Sequence, residues 1–427
     1  MGAKATETLP SRGQALRARA CRAADRVDNK ISALFVIWLC LALVGPHQEL
    51  YKAFFHVVIA PVVLMTLLVG RLRYVFDDPL FRVAALFLFY AAFSTFLIGL
   101  GPMSGHLRAL RWTVELSFFL LALWMWMPKV VEAPGWWGRF LLALTSAAGL
   151  LAIIKFLIFE QDQARLSGLG GLHNPIHTGS VLLTLLVLGS LLLKLDQTQR
   201  RRFFDRSLLI LTVAVVACVI FFSKSRGPML AMAVYGVYAF SFETRLRHYV
   251  VRAALLALVL VVAFAMVAGE WPLQRYIEGL ISRGSSYRLD LWWGYLAYPP
   301  DSWLLGFGLG TEKWHVPAFE QYWVPNGIPA GHPHSMLIGT LVETGLVGLG
   351  FLCTLAGLVL FNIWRCPSSR NIKLSLLGVL ILVFLLGLTS GQGVIYSVKT
   401  HWLTIWVPVL FVWFWLKKQA LETPQTK

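Results

Sequence analysis

Twelve apolar runs dominate the chain and dictate most of what it can become. They cover roughly residues 30–45, 50–70, 79–99, 107–127, 136–159, 177–195, 207–223, 227–242, 250–268, 335–361, 373–390 and 402–416. A helix needs about 20 apolar residues to cross about 30 Å of hydrocarbon. In that medium every backbone N–H and C=O must find a partner inside its own segment. The pattern therefore predicts an all-α polytopic membrane protein with about 12 transmembrane helices. Composition agrees, with 57% hydrophobic and 14% charged residues, the latter well below the roughly 25% of a soluble domain. These values exclude a soluble globular enzyme, a disordered protein and a nucleic-acid-binding domain. The first run lacks a small-residue cleavage site and leads straight into the second, so it reads as a span rather than a signal peptide.

The net charge of +17 would point to nucleic acid in a soluble chain. In a membrane protein it reports topology, because Lys and Arg collect on the cytoplasmic side. With the N-terminus cytoplasmic, the cytoplasmic segments hold 26 of the 38 basic residues and the opposite side 11, with Lys155 inside a span. Both termini are then cytoplasmic. The chain divides into a basic N-terminal segment (1–29), helices one to nine (30–268), a long outer loop (269–334), helices ten to twelve (335–416) and a cytoplasmic tail (417–427). The five cysteines, Cys21, Cys40, Cys218, Cys353 and Cys366, lie in apolar runs or cytoplasmic segments. They predict neither a disulfide framework nor a thiolate metal site.

Long loops in compact proteins are usually functional or disordered, and residues 269–334 are too aromatic for disorder. They carry Trp271, Trp292, Trp293, Trp303, Trp314 and Trp323. An interfacial aromatic belt is one reading. Another is an amphipathic helix over 285–298, lying on the membrane surface. Ser285 and Ser286 are placed to cap it, Arg288, Trp292 and Tyr295 share a face, and Pro299 and Pro300 end it. The cluster Gly306, Gly308 and Gly310 lacks the spacing of a dinucleotide fingerprint.

Charges near the bilayer are expensive and raise a functional expectation by default. Lys224 and Arg226 sit in a tight turn between spans seven and eight, ahead of Gly227-Pro228 at a helix start. Arg165 opens a glycine-rich outer loop running to Pro175, which is either an anion-binding nest or an ordinary flexible loop. His332-Pro333-His334-Ser335 closes the long loop. No familiar carboxylate or cysteine spacing accompanies the two histidines, so a metal site is not expected. A histidine at the surface suits general base work. Glu343, nine residues into span ten, reads as structural, and Asp77-Asp78 as a cytoplasmic loop feature. Outward arginines with histidines and few paired acids suit a diphosphate better than metal-dependent glycosyl transfer, which needs carboxylates.

Four segments together resemble the bacterial O-antigen ligase and polymerase superfamily. They are Arg165 through Pro175, Ser223-Lys224-Ser225-Arg226-Gly227, Arg283 through Trp292, and His334-Ser335 followed by Glu343-Thr344-Gly345-Leu346-Val347-Gly348. The length is most similar to the ligase. The resemblance implies a GT-C-like fold in the bacterial inner membrane, with the loop and active site periplasmic. It implies a glycosyltransferase using no cofactor and no metal. Such an enzyme moves O-antigen from undecaprenyl diphosphate to a sugar hydroxyl of lipid A–core and completes lipopolysaccharide. Carried onto this chain, it makes His334, Arg288 and Arg226 catalytic. The diphosphate falls to Arg165, Arg226, Arg288, Lys224 and Arg283, and His332 is a possible second base. A polymerase using the same donor, or a transporter of lipid-linked sugars, are the alternatives. The partners are the lipid-linked donor, the lipid A–core acceptor and membrane lipids, with no nucleic acid.

Overall fold

A computed structural model describes residues 30–100, 102–160, 165–196, 202–242, 287–329, 331–391 and 393–422. The terminal segments, the expected ninth span, Trp271, Arg283, Ser285 and Ser286 lie outside the described residues. We number the helices α1 (Lys30–Val44), α2 (Gln48–Leu68), α3 (Pro79–Ile98), α4 (Met103–Glu132), α5 (Pro134–Phe159), α6 (Pro175–Leu195), α7 (Arg202–Phe222) and α8 (Arg226–Phe242). They continue with α9 (Arg288–Ala297), α10 (Met336–Arg365), α11 (Arg370–Ser390) and α12 (Trp402–Glu422). No strand occurs among the described residues. Eleven of the twelve expected spans fall there, and each coincides with a helix. Eight of these helices are long and apolar enough to cross a membrane. The exceptions are α1, α8 and α12; α1 and α8 are shorter than the eight, and α12 ends in the polar residues Lys417, Lys418, Gln419 and Glu422.

Helix ends follow local chemistry. Pro79, Pro134 and Pro175 occupy first-turn positions, where the missing N–H is harmless. Asn174 and Ser335 cap α6 and α10 through their side-chain oxygens. Asp78 is more than the loop residue expected. It is 3% exposed. One carboxylate oxygen accepts from Leu80 N and Phe81 N, and the other accepts from Trp413 Nε1 at 3.0 Å and Lys417 Nζ at 2.8 Å. It clasps the start of α3 to the end of α12.

Helices α4, α6 and α12 form the centre of the bundle. From Trp402 to Leu416, α12 is apolar nearly all round and almost entirely buried, as a helix with no solvent or lipid face must be. Aromatic rings join these helices: Phe119 of α4 lies against Trp402 of α12 at 4.6 Å, and Phe35 of α1 stacks on Trp126 of α4 at 4.5 Å. Polar contacts gather at the two ends. One end holds Asp78 with Lys417, Arg139 with Asp205, Lys194 with Ser375 and Lys418 with the Val131 carbonyl. The other holds His56 with Glu115, Arg108 with Glu312 and Arg165 with Ser223. The charge argument separates these same two sets.

At the second end the described part of the long loop is a packed cap. Leu291, Tyr295, Phe307, Val316, Ala318, Trp323 and Ile328 form a small core with Val342 of α10. An aromatic belt is therefore only part of its role: Trp323 is fully buried, whereas Trp293 and Trp314 are 61% and 50% exposed. Helix α9 presents Leu289, Trp293 and Leu296 outward and buries Leu291 and Tyr295, so it carries apolar residues on both sides rather than the single apolar face of an amphipathic helix. The glycines explain how the cap is seated. Gly345 breaks α10 with φ 65°, and the loop supplies the bonds that the break removes. Phe307 N donates to Val342 O at 2.7 Å, Leu346 N to Trp303 O at 2.8 Å and Val347 N to Leu304 O at 3.2 Å. Gly306, at φ 80°, packs so closely here that a Cβ would lie 2.7 Å from Gly345 N. The glycine cluster is a docking device.

Candidate active site

Three non-glycine residues among those described have φ in the left-handed region: Lys224 at 49°, Tyr287 at 60° and His334 at 52°. Such strain persists only where the surroundings enforce it, and it concentrates at functional sites. Each of the three is, or immediately precedes or flanks, an expected site residue.

Arg165 reaches the turn between α7 and α8. Its Nε donates to Ser223 O and its Nη2 to Ser225 Oγ, both at 2.9 Å, and Leu166 N donates to Phe222 O at 3.1 Å. The guanidinium thus shapes the turn that carries Lys224 and starts α8 at Arg226. The glycine loop that follows is neither an open nest nor loose. Gly168, Gly170 and Gly171 are buried. Gly168 N is engaged by Leu172 O and Thr178 Oγ1. A Cβ on Gly171 would fall 2.3 Å from the Thr400 methyl group. The loop ends at Asn174, whose cap sets the first turn of α6 and places His177 there.

The arginine of α9 and the histidines of the loop are joined by one bond. Trp292, one turn beyond Arg288, donates its Nε1 proton to Pro333 O at 2.6 Å. Pro333 lies between His332 and His334, so this bond fixes Arg288 and both imidazoles in one frame. His334 N donates to His332 Nδ1 at 3.2 Å, and the two rings have centroids 3.8 Å apart. An Nδ1 that accepts leaves the proton of neutral His332 on Nε2. Ser335 then caps α10.

Electrostatics follow from this crowding. Burial, then the charge of Arg226, pushes the Arg288 guanidinium down from its ordinary value. Burial, then the charge of Arg288, pushes His334 down to about 4. His332 is pushed further, by burial first and then by His334, His177, Lys399 and His401. Both imidazoles are neutral at pH 7, the state a base requires. The structure thus brings together Arg226, Arg288, His334 and His332, with Arg165 and Lys224 on the adjoining turn. Arg283 lies outside the described residues.

Sequence reasoning missed three neighbours. His177 and His401 have ring centroids 6.3 Å apart. Lys399 lies over the Tyr396 ring at 3.9 Å, and burial with the nearby Lys52 charge pushes it down to about 8. The available signal was a titratable residue at the outer ends of spans six and twelve. Among the described residues no three His, Cys, Asp or Glu side chains converge as a metal site.

The family described as O-Antigen ligase matches this chain over residues 211–353. That stretch contains Lys224, Arg226, Arg283, Arg288, His332 and His334. The chain resembles O-antigen ligases. An O-antigen ligase of Pseudomonas aeruginosa is 26% identical to it over 391 residues, which is 90% of each chain. The resemblance to O-antigen ligases therefore extends well beyond the matched stretch.

Proposed function

We propose that the chain is an O-antigen ligase, a glycosyltransferase that transfers O-antigen from undecaprenyl diphosphate to a sugar hydroxyl of lipid A–core. The observation that carries this reading is the placement of Arg288 beside both Arg226 and His334, with the Trp292–Pro333 bond tying the Arg288 helix to the histidine loop. The loop end of the bundle faces the periplasm of the inner membrane, and both termini are cytoplasmic, in keeping with the positive-inside rule.

The chemistry runs in one step. A sugar hydroxyl is a weak nucleophile until its proton is drawn off. The His334 imidazole accepts that proton as the hydroxyl oxygen bonds to the anomeric carbon of the donor. The bond from that carbon to the diphosphate oxygen breaks, and undecaprenyl diphosphate leaves with the electron pair. Arg226 and Arg288 hold the developing negative charge, with Lys224 and Arg283 adding to the field. Arg165 holds the turn that presents Arg226 and assists at the diphosphate. Attack opposite the leaving group inverts the anomeric centre. A two-step retaining route would need a carboxylate nucleophile in addition to the His334 base. His332 shapes the base, because its Nδ1 is already engaged by the His334 amide.

The test is transfer in vitro. Purified protein in detergent is mixed with undecaprenyl-diphosphate-linked O-antigen and lipid A–core in the presence of EDTA. A polysaccharide ladder on lipid A–core supports a metal-independent ligase. Lengthening of the donor alone makes the protein the polymerase, and no reaction with either favours transport of the lipid-linked sugar.

A further inference from the structure

Beside the His332–His334 pair, α6, α11 and α12 enclose a small cavity of about 10 Å³, lined by His177, Ser180, Val181, Leu386, His401 and Thr404. That is room for about one water molecule. Two of its wall residues carry deeply buried polar atoms that no protein atom satisfies, Ser180 Oγ and His401 Nε2. The residues themselves are 4% and 6% exposed. An unmet buried polar group is costly, and two around one water-sized space share a common remedy.

The protons can be followed. Thr404 Oγ1 donates its one proton to His401 O at 2.7 Å and lies 3.4 Å from His401 Nδ1. At Nδ1 it can only accept, which places the imidazole proton there and leaves Nε2 as a bare acceptor. Ser180 Oγ can donate or accept. His177, at the first turn of α6, stands across the cavity with its ring 29° from that of His401. No direct bond spans their 6.3 Å separation. His177 and His401 both lie near enough to His332 for their charges to act on it, as that of His334 does on His177.

We propose that the cavity holds one ordered water bonded to His401 Nε2, Ser180 Oγ and the His177 ring. Through it His401 acts as a positioning residue that fixes the tautomer and orientation of His177 behind the His332–His334 pair. The water site stands on the cavity and its unmet atoms alone; only its consequence for transfer rests on the ligase reading. Which nitrogen of a histidine carries the proton is set by the bond its other nitrogen makes. An unbridged His177 is free to take either tautomer and to turn, and the seat of the base loosens with it.

The experiment uses the full-length protein with Ser180→Ala, His401→Leu and His401→Gln. Three readouts apply: ¹⁵N-histidine NMR of the side chains, a high-resolution map of the cavity, and transfer kinetics. The wild type shows a density peak in the cavity and a single Nδ1-protonated signal for His401. Ser180→Ala, a deletion too small to threaten the fold, removes one bond to the water and broadens or splits the His177 signal. His401→Leu lowers kcat by about tenfold or more, as loss of a partner that orients a functional histidine does elsewhere, with KM for both lipids unchanged. His401→Gln, which returns an acceptor near Nε2, recovers most of that loss. An empty cavity together with an unaltered His177 signal in Ser180→Ala overturns the proposal, even where ligation itself is demonstrated. If the protein proves not to be a ligase, the density and the tautomers still decide whether the water is there.

Discussion

If His334 is the base proposed above, its crowding by Arg288 gives the reaction a distinctive pH signature. Burial, then the charge of Arg288, brings His334 from 6.5 to about 4. A base acts when unprotonated, so kcat/KM, which reports the free enzyme, is flat at neutral pH. It falls, by tenfold per unit, only as the pH drops below about 4. At pH 7 about one molecule in a thousand carries the proton, against about one in four for an ordinary imidazole. The donor changes this. Its diphosphate sets negative charge against Arg226 and Arg288 and attracts the imidazolium, so the limb in kcat, which reports the bound enzyme, lies at higher pH than the limb in kcat/KM. Arg288→Gln removes the charge and keeps hydrogen-bond donors. It raises the kcat/KM limb part of the way toward 6.5, because burial, the larger cause, remains. It also weakens donor use by about 10- to 150-fold, the loss of a charge-assisted contact of about 1.5–3 kcal/mol. The assay is the initial rate of lipid A–core ligation from about pH 3 to 8 at varied donor concentration. A limb near 6.5 that Arg288→Gln leaves in place, or a rate that rises with acid, refutes the reasoning.

Three further outcomes are expected. His334→Ala lowers kcat by about 10²–10⁴-fold with wild-type amounts of protein in the membrane, whereas His332→Ala retains measurable transfer; the reverse order would make His332 the base. Gly345→Ala must hold a Cβ at φ 65° and 2.2 Å from Leu304 O. The left-handed backbone alone costs about 1–2 kcal/mol, so the variant shows faster proteolysis within the loop and a lower melting temperature in detergent. Asp78→Ala removes a helix cap and the partner of Lys417 and Trp413. It costs about 1–3 kcal/mol in thermal stability, while transfer per folded molecule is unchanged because the clasp lies at the opposite end from His334.

The helices were largely legible in the sequence because their signals are local. Pro79 and Pro175, and Ser335 ahead of α10, mark starts that the structure keeps within a residue or two. Arg226, Arg288 and His334 were legible as charged or titratable residues flanking apolar runs. Features that depend on distant partners were hidden. Asp78 looks like a loop acid because the residue that neutralises it, Lys417, is 339 positions away. Gly306 looks like a fragment of a nucleotide motif because its reason is the break at Gly345. His177 and His401 look like the ends of two spans, and only packing shows that they face each other. In each case the spacing along the chain carries no trace of the contact.

The break at Gly345 decides which residues move together. Phe307 bonds α10 on the outer side of the break, at Val342, while Trp303 and Leu304 bond Leu346 and Val347 just past it. Trp292 ties α9 to the same piece through Pro333. The stretch from Tyr287 to Val347 thus contains Arg288, His334 and the scaffold that spaces them. The remainder of the bundle meets it through Tyr90, Thr95 and Leu100 and through the ion pair of Arg108 with Glu312. A piece tied together in this way shifts as one body, so a change at its seat displaces Arg288 and His334 together and leaves the spacing between them intact.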